Sequence, residues 1–310
     1  MQSSNPDQAD TTRQLVGRFL SRNDLTVASK KALDALLLKL PVGSGDEAGR
    51  QRQRSLSDLD LDTVDMLRRL IPHIKNNHFT PMLGRGMTNS LLGPLRRLAP
   101  EWARDYGSPT QLRRSTDLPV AAQFVEVMNN VDTLRAALLH DLRERITSGN
   151  GADDDGTPEH LNRLLTEAWR ERCAADEHDA HRVLASLGCR IYITAHPWGL
   201  MEAALRDTGR EPEVEICRWR PDVYDWPETV FEREPDYEPT RERPLVFHVF
   251  GSVETPESLL LSADDYLDFL ISVTADRSLI PMPVASALAD SALQFLGFGL
   301  EDAVGARMLL

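Results

Sequence analysis

Along this chain, apolar residues recur every three or four positions through the first half and then gather into short continuous runs. Leu15, Val16, Phe19 and Leu20, followed by Leu33, Leu36, Leu37 and Leu40, predict two helices within residues 11–40, the second stopped by Pro41. A third is expected over 59–75, capped by Asp58 or Asp60, with Val64, Leu67, Leu70 and Ile71 on one face. Helical spacing continues from 90 to 150 through Leu91, Leu95 and Leu98, Val120 to Met128, and Leu134, Leu138 and Leu142. Gly149 to Gly156 breaks it. Thr157 as cap and Pro158 at the first position then open a helix with Leu161, Leu164, Leu165 and Trp169 as its face.

Strands are predicted where the runs are short, apolar and bounded by turn residues. These are Phe79–Leu83, Cys189–Thr194, Glu213–Trp219 with Val214 and Ile216 on one face, Pro244–Gly251, and Ala292–Gly299. Helices begin near Leu200 and after Ser262, where Asp265 supplies the return contact of a capping box. Strands alternating with helices make this an α/β chain, a parallel sheet with helices on both faces.

Length and composition narrow the organisation. A chain of 310 residues with 41% hydrophobic and 27% charged content holds one large domain, or one with a small appendage. We divide it into a helical adaptor and linker, 1–58, and a main domain, 59–310, with a helical insertion at about 90–180. The linker is the Gly43 to Arg54 stretch, rich in Gly, Gln and Arg. Two helices of the adaptor's size bury little on their own, so they pack on the main domain, on a second copy as a homo-oligomer, or on a protein partner. No apolar run reaches the roughly 18 residues a membrane span needs, and the first residues lack the basic and apolar segments of a secretory signal, so a cytoplasmic protein with no membrane partner is expected. The net charge of -13 opposes a nucleic-acid partner, and Arg13, Arg18, Arg22, Lys30 and Lys31 read as a solvated helix face. Cys173, Cys189 and Cys217 form no Cys-x-x-Cys pair, which leaves neither a disulfide framework nor a zinc ribbon. No metal is expected.

The chemistry is expected at strand ends. After Phe79–Leu83 the chain turns through Gly84-Arg85-Gly86 and reaches a helical segment, the arrangement by which a strand hands over to a phosphate-cradling turn. A generic tight turn has the same sequence. Further strand ends lie at Thr194 to His196, His248 to Ser252 and Gly297 to Gly299, and in an open parallel sheet such ends line the ligand crevice.

These segments, Phe79 to Gly86, Ile191 to His196, Leu245 to Ser252, Ser258 to Tyr266 and Leu296 to Phe298, stand in the order and spacing of the bacterial sirtuin-like domain, which the chain resembles from about Ile71 onward. The resemblance implies a Rossmann-like NAD-binding domain with a helical insertion, and NAD glycohydrolase activity in antiphage defence. It implies that Gly84, Arg85, Gly86 and Thr88 hold the pyrophosphate and neighbouring ribose, with Thr194, Gly251, Ser252, Gly297 and Phe298 near the rest of the dinucleotide. Protein deacylation fits less well, because the four-cysteine zinc module of deacylating sirtuins is absent. This chain also departs from the active pattern: His196 stands where Asn is usual, Phe250 where His is usual, and Trp198 where an Asp is usual. Two readings follow, an NAD-consuming enzyme with His196 and His248 as its catalytic residues, or a pseudoenzyme that binds NAD or a related nucleotide as sensor or scaffold.

Strand alternation would put His248 and Phe250 on one face. Other features admit plainer readings. His178 and His181 have helical metal-pair spacing but lack a third ligand, and they read as a hydrated helix start. The acidic excursion 220–244, with Trp219 beside it and Trp226 and Tyr237 within it, reads as a lid or a partner surface.

Overall fold

The computed structural model describes residues 69–108, 117–147, 157–175 and 179–298. The helices expected at 11–40, the linker, the first part of the 59–75 helix, the Gly149–Gly156 break and His178 lie outside the described residues. A helical stretch, 69–75 (α1), leads into β1 (Phe79–Leu83). A 3-10 turn at Arg85–Thr88 follows, then α2 (Asn89–Leu92), α3 (Leu98–Asp105), α4 (Leu118–Met128), α5 (Val131–Thr147), α6 (Pro158–Ala175) and α7 (Ala180–Leu187). The remaining strands are β2 (Ile191–Thr194), β3 (Glu213–Ile216), β4 (Leu245–His248) and β5 (Ala292–Leu296). Between them run α8 (Leu200–Asp207), α9 (Val230–Arg233), α10 (Ala263–Ala275) and α11 (Met282–Asp290).

Among the described residues the strands form one parallel sheet in the order β3-β4-β2-β1-β5. It is a Rossmann-like α/β arrangement whose central strands β4, β2 and β1 are buried on both faces. Alternation along the central strands divides the core in two. Tyr192 and Val246 point toward α5 to α8, where they meet Leu138, Leu165, Leu184 and Leu200. Ile193, Leu245 and Phe247 point the other way, toward Phe269 of α10 and Val284 of α11. Continuous apolar runs are what a two-sided strand requires.

Local caps follow the sequence closely. Ser262 and Asp265 exchange both capping-box bonds at the start of α10, and the Thr157 hydroxyl accepts from His160 N at 3.2 Å in α6. On the edge strand β3 the expected faces are exchanged. Val214 is 40% exposed whereas Glu215 is buried. The reason is a distant donor: Val230 N, at the start of α9, donates to the Glu215 carboxylate at 2.5 Å. Burial raises the Glu215 pKa against the lowering effect of that bond. The 220–244 excursion is likewise anchored. Trp219 and Tyr237 are core residues, Trp219 Nε1 donating to Ser258 O at 2.8 Å and the Tyr237 hydroxyl to Arg243 O at 3.0 Å.

Candidate functional site

The carboxyl ends of four strands are drawn side by side by ladder bonds that continue past the strands. Ala195 N donates to Leu83 O at 2.7 Å, Val249 N to Thr194 O at 3.0 Å, and Gly84 N to Leu296 O at 2.7 Å. β1 lies between β2 and β5, so the chain leaves β1 toward one side and returns to its other side much later. A crevice at this change of strand order is the usual ligand position in such sheets. Glycines and histidines singled out from sequence therefore do converge, in two groups.

The first group joins β1 and β5. A Cβ at Gly84 or at Gly86 would lie 2.6 Å from Gly297 O, and Gly297 itself has φ +70° with Met87 N 2.5 Å from its would-be Cβ. These three glycines let two backbones interlock. Two of the turn's amides are committed to the same contact, Gly84 N bonding Leu296 O and Gly86 N bonding Gly297 O at 2.8 Å, while Met87 N bonds Gly84 O within the turn at 3.1 Å. Thr88 is buried, its hydroxyl donating to Arg85 O at 3.0 Å. Phe298 packs edge-on to Phe295, with centroids 5.4 Å apart. Arg85 is different. Its half-buried guanidinium spans to the start of α10, donating to the Tyr266 hydroxyl at 2.7 Å and to Leu260 O at 3.2 Å, and it has no carboxylate partner among the described residues.

The second group joins β2 and β4. Thr194 is fully buried, its hydroxyl donating to His196 O at 2.9 Å and holding the turn after β2. Gly251 has φ +89°, and a Cβ there would meet Ser258 O at 2.3 Å; Ser252 N next to it donates to Ser258 Oγ at 2.9 Å. β4 ends at His248 and the chain turns at Val249 and Phe250, so the alternation stops there and His248 and Phe250 do not share a face. Phe250 packs with Tyr266 and Phe269, centroids 5.7 and 5.5 Å away, on the α10 side. His248 faces α8, where its Nε2 lies 2.5 Å from Glu202 Oε1.

Around His248 is a buried polar cluster. His196 and His181 approach at 3.5 Å between their Nε2 atoms, with rings edge-on at 5.5 Å, and Trp169 packs edge-on to His181 at 6.2 Å. His181, His196, Glu202 and His248 are each at most 3% exposed. Burial first, then the neighbouring imidazoles of His181 and His248, push the His196 pKa well below its ordinary value, so its ring is neutral. His196 Nδ1, His248 Nδ1, Glu202 Oε2, Trp169 Nε1 and Trp198 Nε1 find no hydrogen-bond partner among the described residues. Buried polar atoms left this way are uncommon and call for a water or a ligand. The Asp179 carboxylate caps α7 by accepting from His181 N at 2.9 Å, which fixes His181 in the cluster as a buried residue rather than a hydrated one. Among the described residues no group of three or more His, Cys, Asp or Glu side chains is placed to hold a metal.

Sequence reasoning missed Glu202 and Asn162, and read His181 as part of a hydrated helix start. Glu202 was a visible signal, a lone carboxylate in Leu200-Met201-Glu202-Ala203-Ala204-Leu205. Asn162, on α6, ties two strand-end loops together, accepting from Gly199 N at 3.0 Å and donating to Glu254 at 2.6 Å. Its role depends on contacts far along the chain.

The chain matches no curated protein. Residues 199–309 match a family model described as the SIR2-like domain, so the part of the chain that carries α8, β3, β4, α10 and β5 is similar to a sirtuin-like domain.

Proposed function

We propose that this chain binds NAD across the carboxyl ends of β1, β2, β4 and β5 and cleaves the bond between nicotinamide and ribose, releasing nicotinamide and ADP-ribose. The sirtuin-like match of residues 199–309 supports the choice of NAD. The observation that carries the chemistry is the His248–Glu202 pair, buried behind the strand ends beside a neutral His196. Cleavage expels a good leaving group, so the protein's task is to hold the ribose, stabilise a developing positive centre and accept a proton from water.

The fit to a dinucleotide rests on Arg85 more than on the glycines around it. Gly84 and Gly86 have spent their N–H groups on β5, whereas the Arg85 guanidinium, half-buried and unpaired with any described carboxylate, is suited to a pyrophosphate. The setting in antiphage defence is supported only by the segments that resemble the bacterial sirtuin-like domain.

Phe250 favours a second reading, binding without cleavage. It fills the place of the usual histidine and is held in an aromatic cluster, so that position cannot donate or accept a proton. Incubating the purified full chain with NAD while following free nicotinamide, and measuring NAD binding by calorimetry in the same preparation, separates the two. Arg85→Ala is the blocking variant of choice, because any side chain at Gly86 would displace β5. We expect release from the wild type and a loss of affinity in Arg85→Ala of about 10- to 100-fold, the worth of one charge-assisted contact. Binding without release selects the second reading, and no binding at all rejects both.

A further inference from the structure

We infer that Glu202 is a positioning residue that holds His248 as the base for the attacking water, an inference that rests on the cleavage reading above. His248 closes β4 and Glu202 sits in the first turn of α8, 1% and 3% exposed respectively. An ionised Glu202 only accepts, so in the contact of 2.5 Å Nε2 carries a hydrogen, and a neutral His248 then keeps its lone pair on Nδ1. Nδ1 has no partner among the described residues. Hydrolases with a carboxylate on one ring nitrogen and a proton-accepting lone pair on the other divide the work in the same way.

The surroundings argue against a purely structural pair. Glu202 lies between Met201 and Ala203 on a helix whose neighbouring residues are all buried and apolar, and its second oxygen has no partner. Replacing such a pair by apolar residues of similar volume is often neutral or stabilising, so packing alone gives no reason to keep it. His196, after β2, interacts with His248 as a neighbouring imidazole, and His181, on α7, approaches His196 from beyond it. His196 is neutral and places no competing charge beside the base.

In the reaction, the bond from ribose C1′ to the nicotinamide nitrogen breaks with both electrons going to the ring, which cancels its positive charge. A water oxygen bonds to C1′, and its proton passes to His248 Nδ1. Glu202 then faces an imidazolium and stabilises it. Nothing is oxidised or reduced.

Two readouts on the full chain test this. In histidine 15N NMR without NAD, His248 should show the Nε2–H tautomer with a strongly downfield proton, lost in Glu202→Leu and weakened in Glu202→Gln. In nicotinamide release, Glu202→Gln should lower kcat by at least about 100-fold while KM stays within about threefold, and should move the acidic limb of the pH–rate profile. An unchanged His248 signal in Glu202→Leu, or an unchanged kcat in Glu202→Gln with an active wild type, overturns the role of Glu202 alone. Absence of release from the wild type overturns the cleavage reading, and the assignment of a base with it.

Discussion

His248 and Phe250 are two residues apart, yet they serve opposite faces of the sheet and two different kinds of interior. The Phe250 face is an apolar layer of ring edges, Phe250 against Tyr266 and Phe269, and Phe269 against Trp219. The His248 face is equally buried but polar, with indole, imidazole and carboxylate atoms that the described residues leave unpaired. The first gives back in packing what it costs in order. The second carries desolvated groups whose cost is recovered only if something polar joins them. Chemistry is therefore expected on the side that carries the unpaired polar atoms.

The largest effect should come from breaking the polar side by one member. His248→Ala leaves the Glu202 carboxylate buried without its imidazole, and urea unfolding should show a loss of about 3–5 kcal/mol. The double replacement His248→Leu with Glu202→Leu should recover most of that. A double variant as unstable as the single one would mean that the pair is there for the fold.

Phe250→His sharpens the comparison from the other face. It restores the residue type of the active pattern but places an imidazole among aromatic rings, with a cost of about 1–3 kcal/mol for the unmet polar atoms. No rise in nicotinamide release is expected, since the ring would point away from Glu202. A rise would show that the turn at Gly251 can carry the new side chain across to the polar face.

A smaller effect separates the two faces by pH. His196 has a folded pKa well below its usual 6.5, so it binds a proton mainly when the chain unfolds. Its contribution to stability is present above pH 6.5 and is lost as pH falls below that value, at up to about 1.4 kcal/mol per pH unit. Compared at pH 7.5 and 5.5, His196→Asn should lose less stability than the wild type. Parallel losses in the two proteins would place the acid sensitivity elsewhere.

What the sequence discloses here is local, and what it hides depends on distant partners. The Phe79–Leu83 run before Gly84, the β-branched Ile191–Thr194 run and the Ser262–Asp265 capping box each specify an element through residues a few positions apart. The inverted face of β3 depends on a donor at Val230, and the separation of His248 from Phe250 depends on where β4 stops. Neither is visible to a period-two pattern. Likewise, Gly84 and Gly86 announce a special backbone, but only the placement of Gly297 tells that their amides bond the end of β5.

That interlock has a kinetic meaning. β1 comes early and β5 late, and the glycine turn acquires its shape only when the late strand docks beside the early one. Pairing strands so distant in sequence demands that the intervening chain be organised first, which makes it a late event in folding. Any ligand gripped near Arg85 would therefore bind poorly to partly folded chains, and by mass action would favour the finished sheet over its precursors.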